Sequence, residues 1–363
     1  MKTFEHYKNL GKVPPWDPLN WKDNWAQFND DPRTQNLDLH LGNRVDFGKI
    51  RNDKINVHMW GEWPNSWFNG KTRGQNAPHN LEIEKRFDYV LSFCKITCLG
   101  RGYLYAPLTY DYEHVSTHFP AGWGDGIDVN KDIDVFMCAT WAAPPPPGQA
   151  HNPLHSVVWP WYQIMKKFNH VFCNQDLPGH RYPWLEKQAL SLRSKISIVF
   201  GVFIGSTPEC RTYAQQHYPW IKFKTPKGID NVKPVFPHPK ARIMDAAITK
   251  SIILCYKDPF VGGVSPYCSA IEDTYKLEPG VDFIYFEDSI DLEKKIKQIL
   301  DDYDNPKYQH MVDSAYKKMK DHCDMKTVYE NYLVPLAQKG KKISMDLQNQ
   351  IVEDPSPNTH QNG

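Results

Sequence analysis

Two cations stand where a helix is predicted to begin, in the stretch His238-Pro239-Lys240-Ala241-Arg242. The first turn of a helix carries backbone N–H groups without intrahelical partners, and its dipole favours negative charge. Lys240 and Arg242 therefore oppose the dipole unless an anion binds beside them. Their position indicates a phosphate-binding helix N-terminus, whereas residue type alone favours a pair of solvated surface charges.

Glycines and acids further along the chain could complete a ligand site. The pair Gly262-Gly263 would let backbone approach a ligand closely, and Glu272 could accept hydrogen bonds from ribose or sugar hydroxyls. Neither GxxxxGK[ST] nor GxGxxG occurs in the chain. This absence removes P-loop nucleoside triphosphatases and ordinary NAD enzymes from the leading candidates.

Two D-x-D triplets resemble a metal-binding motif, Asp132-Ile133-Asp134 and Asp302-Tyr303-Asp304. The first is predicted to open a strand and the second to end a helix. A magnesium or manganese ion beside phosphates would need oxygen ligands at the carboxyl end of a strand. We therefore expect no metal and no other cofactor.

Composition excludes several classes of protein. A chain of 363 residues suggests two domains, and 40% hydrophobic with 23% charged residues is typical of a globular protein. A net charge of +1 gives no basic field for a phosphate backbone, so nucleic acid is not an expected partner. The longest apolar stretch, residues 196–205, is too short to cross a bilayer, and the first ten residues contain no apolar signal segment.

Cysteines and tryptophans are distributed unevenly. Eight cysteines occur without a CxxC pair, which favours a reducing compartment and a cytoplasmic protein. Ten of the twelve tryptophans lie at or before Trp161. The first half could therefore stack on sugar rings, although most large aromatic side chains serve as core.

Apolar periodicity predicts two regions of different organisation. The first fifty residues have no clear period and are predicted to form an irregular layer, followed by strands over 55–60, 87–93 and 102–107. Near-continuously apolar strands then alternate with helices, which is typical of a parallel sheet covered on both faces. These strands are predicted at 134–138, 170–173, 196–203, 251–256 and 282–286. The helices are predicted near 161–168 and at 184–194, 239–250, 291–302 (with Ser289 as N-cap), 306–323 and 327–338.

Domain boundaries follow from the turn-rich, glycine-rich segment at 119–131. We predict an N-terminal domain over 1–125 and a doubly wound domain over 126–323. A C-terminal helical segment is predicted over 324–351, and the polar tail 352–363 is predicted to be disordered.

The C-terminal region resembles a known family. The stretch Arg242-Ile243-Met244-Asp245-Ala246-Ala247, then SIILCYKD, Gly262-Gly263, Glu278-Pro279-Gly280 and DFIYFEDSIDLEKKI, resembles the donor-binding half of group 1-like GT-B glycosyltransferases. The resemblance covers about residues 131–316. In the N-terminal half, Gly61-Glu62-Trp63-Pro64 followed by Phe87-Asp88-Tyr89 faintly resembles the fucosyltransferase branch of these enzymes.

The resemblance implies an α/β, GT-B fold, with two Rossmann-like domains whose parallel sheets face a cleft and a doubly wound C-terminal sheet. It implies that a nucleotide-sugar donor is held by Lys240, Arg242, Asp245, Gly262, Gly263 and Glu272, with Arg242 on the diphosphate and Glu272 on the ribose. It makes 1–125 the acceptor-side domain and 126–323 the nucleotide-sugar-binding Rossmann-like domain. If the reaction inverts the anomeric carbon, a base must face that carbon from the N-terminal side, and Glu62, Asp111 and His114 are the candidates by their positions after strands. The chain departs from the family pattern because Asp245 replaces a Glu, Lys250 stands at an expected Gly, and the spacing from Gly-Gly to the acid is longer.

The expected function is metal-independent transfer of a sugar from a UDP- or GDP-sugar to a glycan or glycoprotein acceptor. Two alternatives remain open at this point. One is a fucosyltransferase-like enzyme that uses GDP-fucose. The other is a non-catalytic carbohydrate-binding protein on the same fold.

Overall fold

The computed structural model describes residues 25–41, 47–60, 83–93, 102–112, 129–139, 153–174, 184–204, 235–237, 241–257 and 270–341, with residues 98, 179, 180 and 182. The predicted boundary near residue 125 and the predicted tail 352–363 lie outside these residues. Among the described helices, none is both long and apolar enough to cross a bilayer.

The N-terminal sheet has four parallel strands in chain order, β1 (Leu37–Leu41), β2 (Ile55–Met59), β3 (Tyr89–Ser92) and β4 (Leu104–Tyr105). The three strands predicted here are confirmed, with narrower bounds for β3 and β4. The prediction of an irregular layer over the first fifty residues was wrong at β1. The sequence of β1, LDLHL, alternates apolar and polar residues at the period of two that a strand requires.

The C-terminal sheet has five parallel strands in the order β6-β5-β7-β10-β11. Their bounds are β5 (Ile133–Cys138), β6 (His170–Cys173), β7 (Ser194–Val199), β10 (Ile252–Tyr256) and β11 (Ile284–Phe286). All five residues of β10 are buried, as an apolar run between two layers of helices must be.

Helices cover this sheet in two groups. They are α1 (Pro153–Met165), α2 (Trp184–Leu192), α3 (Ala241–Ile248), α4 (Ser289–Asp301) and α5 (Pro306–Cys323). Helix α1 packs with α4, whereas α3 packs with both α2 and α5. The predicted α/β class, with two parallel sheets and a doubly wound C-terminal one, is confirmed.

Three local predictions need correction. Helix α1 spans Pro153–Met165 and so begins eight residues before the helix predicted near 161–168, since a proline is tolerated in the first turn of a helix. The strand predicted over 196–203 is divided: β7 ends at Val199, and β8 (Val202–Ile204) pairs antiparallel with β9 (Val235–Pro237) in a separate two-stranded sheet. The N-cap of α4 is Asp288 rather than Ser289, because the Asp288 carboxylate accepts from the backbone N–H groups of Ile290 and Asp291 at 2.9 and 3.0 Å.

The last helices return to the N-terminal sheet. After α5, the chain forms α6 (Met325–Val328), a π-helical turn (Tyr329–Leu333) and α7 (Val334–Lys339). The backbone of Tyr110 exchanges hydrogen bonds of 2.9 Å with Cys323 and Met325. The Tyr329 ring stacks on Phe28 with centroids 3.9 Å apart, so the C-terminal segment holds N-terminal residues in place.

Candidate functional site

Arg242 occupies the first turn of α3, as predicted, because this helix begins at Ala241. The rest of the helix is buried through Ile243, Met244, Ala246 and Ala247. Burial of these side chains fixes the rotation of α3 about its axis. The fold therefore sets the direction of the Arg242 side chain.

The Arg242 guanidinium lies over the ring of Phe200, with Cζ 3.9 Å from the ring centroid. Phe200 follows the last residue of β7, and Cys138, the last residue of the neighbouring β5, is close enough to affect the charge on Arg242. Strand β6 is added on one side of β5, whereas β7 and the later strands are added on its other side, so the topological switch point of the sheet lies between β5 and β7. In doubly wound sheets, ligands bind beyond the carboxyl ends of the strands at this point.

Other aromatic side chains pack around Phe200, the ring that the Arg242 guanidinium contacts. Trp161 of α1 contacts the rings of Phe200, Tyr256 and Phe286, which stand at the ends of β7, β10 and β11, with centroids 5.0 to 5.8 Å apart. All four side chains are buried. The ring under Arg242 therefore belongs to a buried aromatic cluster centred on Trp161.

One nitrogen of Arg242 is left without a hydrogen-bond partner. Nη1 is fully buried and makes no hydrogen bond within the described residues. Burial lowers the pKa of Arg242, and the nearby Cys138, Asp245 and Tyr275 groups act in the opposite direction. A buried charged donor without an acceptor costs about 1–3 kcal/mol or more, so this arrangement favours an anion beside Nη1.

Asp245 lies one turn after Arg242, but its carboxylate faces other partners. Oδ2 accepts from Lys187 Nζ of α2 at 3.2 Å, and Oδ1 accepts from the Tyr110 hydroxyl at 3.4 Å. The aspartate is 5% exposed. The structure therefore brings Lys187 and Asp245 together as a largely buried ion pair beside Arg242.

Sequence reasoning missed Lys187 as a site residue. It lies in the first turn of α2, directly after the loop that follows β6. A cation in a first helical turn beyond a strand is the signal that singled out Lys240 and Arg242. The same rule, applied to α2, identifies Lys187.

Glu272 belongs to a π-helical turn (Ala270–Thr274) and accepts a hydrogen bond from the Tyr285 hydroxyl of β11 at 2.6 Å. Tyr275 follows this turn, is buried, and interacts electrostatically with both Arg242 and Asp245. The turn that carries Glu272 therefore packs close to α3.

The candidate bases are only partly described. Asp111 is 7% exposed, and its carboxylate accepts from Gln27 Nε2 at 3.3 Å. It lies near Asp324, whose pKa is raised by burial first and by the Asp111 charge in addition. Five predicted site residues lie outside the described residues: Glu62, His114, Lys240, Gly262 and Gly263.

Three of the four D-x-D aspartates form ion pairs with basic side chains. Asp132 pairs with Arg193, Asp134 with Lys195 at 2.9 Å, and Asp302 with Lys307 at 2.6 Å. In the described parts of the chain, no three His, Cys, Asp or Glu side chains are grouped so that they could hold a metal ion.

Known proteins resemble the chain only in shape. No family model matches it, and no curated protein does. An α-glucosyltransferase solved with UDP and a 13-mer DNA has 10% identity and a TM-score of 0.49, over 88% of this chain and 84% of that one. HepE of Anabaena, solved with UDP, has 10% identity and a TM-score of 0.43, over 78% and 72%. An α1,3-fucosyltransferase has 13% identity and a TM-score of 0.37, over 82% and 79%.

Proposed function

We propose that this protein is a glycosyltransferase that moves a sugar from a UDP- or GDP-sugar donor to a glycan or glycoprotein acceptor. The observation that supports this most directly is the buried Nη1 of Arg242, which has no hydrogen-bond partner within the part of the chain that the structure describes. It lies beyond the carboxyl ends of β5 and β7, where a doubly wound sheet binds its ligand. A diphosphate oxygen would give this nitrogen the acceptor it lacks.

Catalysis would come from stabilising the leaving diphosphate. Arg242 presents a planar fork that matches phosphate oxygens, and its stacking on Phe200 keeps the fork oriented before the donor arrives. The backbone N–H groups in the first turn of α3, the turn that carries Arg242, also favour negative charge. Charge that develops on the diphosphate in the transition state would meet donors already in position.

Lys187 and Asp245 would support this site rather than compete with it. Because Asp245 is engaged by Lys187 and Tyr110, it does not pair with Arg242 through a hydrogen bond in the described structure. The Arg242 guanidinium therefore remains available to bind the diphosphate of the donor. Glu272, beside Tyr285, remains our candidate for the ribose hydroxyls.

The base and the acceptor site remain part of the proposal. Glu62, Asp111 and His114 are the candidates for the base that would activate the acceptor hydroxyl. We propose the N-terminal domain as the acceptor side and the cytoplasm as the compartment. The five cysteines in the described residues are free thiols, which supports a reducing environment.

Donor binding tests the proposal. Isothermal titration calorimetry with UDP, GDP, UDP-glucose and GDP-fucose should detect binding of one nucleotide family to the wild-type protein. Arg242→Met should abolish that binding, because Met fills the space over Phe200 without charge. Arg193→Met is the matched control, since Arg193 pairs with Asp132 before β5, at the other edge of the sheet. Equal binding by wild type and Arg242→Met would refute the proposed site.

Metal dependence provides a separate test. We propose that transfer needs no divalent ion, because Arg242 and the start of α3 would supply the positive field. Transfer rates measured with excess EDTA should equal those without it. A loss of transfer that Mn²⁺ or Mg²⁺ restores would overturn this part of the proposal.

The carbohydrate-binding alternative has one observation in its favour. Asp245, which the family pattern assigns to the donor, is committed to Lys187 and Tyr110. A non-catalytic protein would bind glycans but release no nucleotide from any nucleotide-sugar. Nucleotide release, measured with a coupled assay in the presence of glycan acceptors, distinguishes the two functions.

A further inference from the structure

The N-terminal sheet contacts the proposed donor site through the chain segment at the end of β4. The hydroxyl of Tyr105, the last residue of β4, donates a hydrogen bond of 3.1 Å to the backbone carbonyl of Thr274. Thr274 ends the π-helical turn that carries Glu272. Five residues after Tyr105, the Tyr110 hydroxyl donates to Asp245 Oδ1 of α3 at 3.4 Å. The segment therefore contacts both elements that carry candidate donor ligands.

Tyr110 is held in place independently of its hydroxyl. Its side chain is fully buried, and its ring packs against Tyr112 with centroids 5.8 Å apart. Its backbone N–H donates to the Cys323 carbonyl and its carbonyl accepts from the Met325 N–H, both at 2.9 Å. A phenylalanine would fit the same packing. Because burying a hydroxyl costs free energy unless it is hydrogen-bonded, the bond to Asp245 is a contribution that packing does not require.

Asp245 is placed so that it could itself pair with Arg242. Residues three apart on a helix are neighbours on its surface. Burial lowers the pKa of Arg242, and the Asp245 charge is close enough to oppose that effect. The carboxylate nevertheless bonds elsewhere, since Oδ2 accepts from Lys187 at 3.2 Å and Oδ1 from Tyr110. Arg242 Nη1 is left without an acceptor among the described residues.

We propose that Tyr110 is a positioning residue, which keeps Arg242 available to an anion by holding Asp245 Oδ1 away from the guanidinium. This inference rests on the proposed function, because it assigns Arg242 to the diphosphate of the donor. Tyr110 acts through Asp245 and does not itself touch the donor. It adds a residue from the segment after the N-terminal sheet to a site otherwise built by the C-terminal sheet and its helices.

Loss of the Tyr110 hydroxyl would make Asp245 a competitor of the donor. In Tyr110→Phe, Oδ1 loses its donor, and a buried carboxylate oxygen without a partner is costly. Arg242 Nη1 is a charged donor one turn away on the same helix. An ion pair between Asp245 and Arg242 would then occupy the guanidinium and weaken the binding of any diphosphate.

Diphosphate binding tests this proposal on the full chain. Inorganic pyrophosphate, UDP and GDP are titrated by calorimetry into wild type and Tyr110→Phe. For each probe that the wild type binds, we expect the variant to bind about tenfold more weakly, the scale of one charge-assisted hydrogen bond. Tyr110→Phe/Asp245→Asn should recover most of the affinity, since an amide carries no charge that competes for Arg242. Unchanged affinity in Tyr110→Phe, or no recovery in the double variant, would overturn the proposal.

Tyr89→Phe is the matched control for these titrations. Tyr89 lies in β3, is buried, and donates its hydroxyl hydrogen to the Gly340 carbonyl at 2.9 Å. This variant also removes one buried hydroxyl, but at a bond that does not involve α3. We expect it to bind the probes as the wild type does. Equal weakening in both tyrosine variants would mean that any lost hydroxyl has this effect, and it would contradict a specific role for Tyr110.

A measurement without ligand separates this inference from the proposed function. Urea unfolding of Arg242→Met, Asp245→Asn and their double variant gives the coupling free energy between the two side chains. The cycle is measured in the wild-type background and again in the Tyr110→Phe background. We expect the coupling to rise about twofold or more in Tyr110→Phe, whereas a purely structural role would lower stability and leave the coupling unchanged. Equal coupling in both backgrounds would overturn the proposal, and a wild type that binds no nucleotide would refute the proposed function instead.

Discussion

Arg242 is the residue that we propose binds the donor, and it also makes a cation–π contact with Phe200. The guanidinium packs on Phe200, while Nη1 is buried and has no hydrogen-bond partner among the described residues. Loss of the cation–π contact, about 0.5–2 kcal/mol, opposes relief of the orphaned donor, about 1–3 kcal/mol.

We therefore predict opposite effects of Arg242→Met on activity and stability. Transition-state stabilisation should fall by about 2–4 kcal/mol, as for loss of one preorganised donor. The melting temperature should stay equal or rise. Transfer rates and differential scanning calorimetry check this, with Arg242→Lys expected to recover part of the rate because it keeps the charge without the fork. A lower melting temperature with normal transfer would make Arg242 a structural residue.

Lys187 and Asp245 form the second test at this scale. Their side chains are 19% and 7% exposed, so breaking the pair leaves a nearly buried charge. We predict that Lys187→Met destabilises the protein by about 3 kcal/mol in urea unfolding. The double variant Lys187→Met/Asp245→Asn should regain most of that loss, since both charges are gone. A double variant as unstable as the single one would show that the ion pair is not the cause.

Among the elements, α4 offers a paired test of its first turn. Asp288 Oδ1 accepts both the Ile290 and Asp291 N–H groups, whereas Ser289 is the first helical residue. We predict that Asp288→Ala lowers the free energy of unfolding by about 0.5–2 kcal/mol and that Ser289→Ala changes it by a few tenths. Urea unfolding of both variants gives the comparison. The reverse order would restore Ser289 as the cap.

At the scale of the whole molecule, the C-terminal helices join the two sheets. Tyr329 stacks on Phe28 and its hydroxyl hydrogen-bonds to Thr34 Oγ1 at 2.8 Å. On the exposed side, Arg33 pairs with Glu330 at 2.7 Å. The packed ring and the surface pair occupy one interface, so their contributions can be compared directly.

We predict that Tyr329→Ala lowers stability by about 3 kcal/mol and the melting temperature by several degrees, because a buried ring is lost. Arg33→Ala should lower the stability much less, since its side chain is 46% exposed and solvent screens the pair. Calorimetry on both variants measures this. Equal effects would mean that the interface depends on charge rather than on packing.

The local sequence pattern was sufficient to predict most strands of the C-terminal sheet and most of the helices that cover it. Its strands are apolar runs bounded by turn residues, and α5 was predicted at its observed bounds, Pro306–Cys323. The first turn of α3 could likewise be predicted from the sequence, because the start of a helix depends on a few adjacent residues. The α/β class and the position of Arg242 in that turn therefore follow from the sequence by itself.

Only the tertiary structure decided what these residues touch. Phe200 under Arg242, Lys187 beside Asp245, and Tyr110 beside Asp245 are partners 42, 58 and 135 positions apart. Such pairs depend on the order in which strands assemble, β6-β5-β7-β10-β11, and on the face each helix covers. A periodic pattern shows which face of an element is buried, but it carries no information on which distant side chain packs against that face.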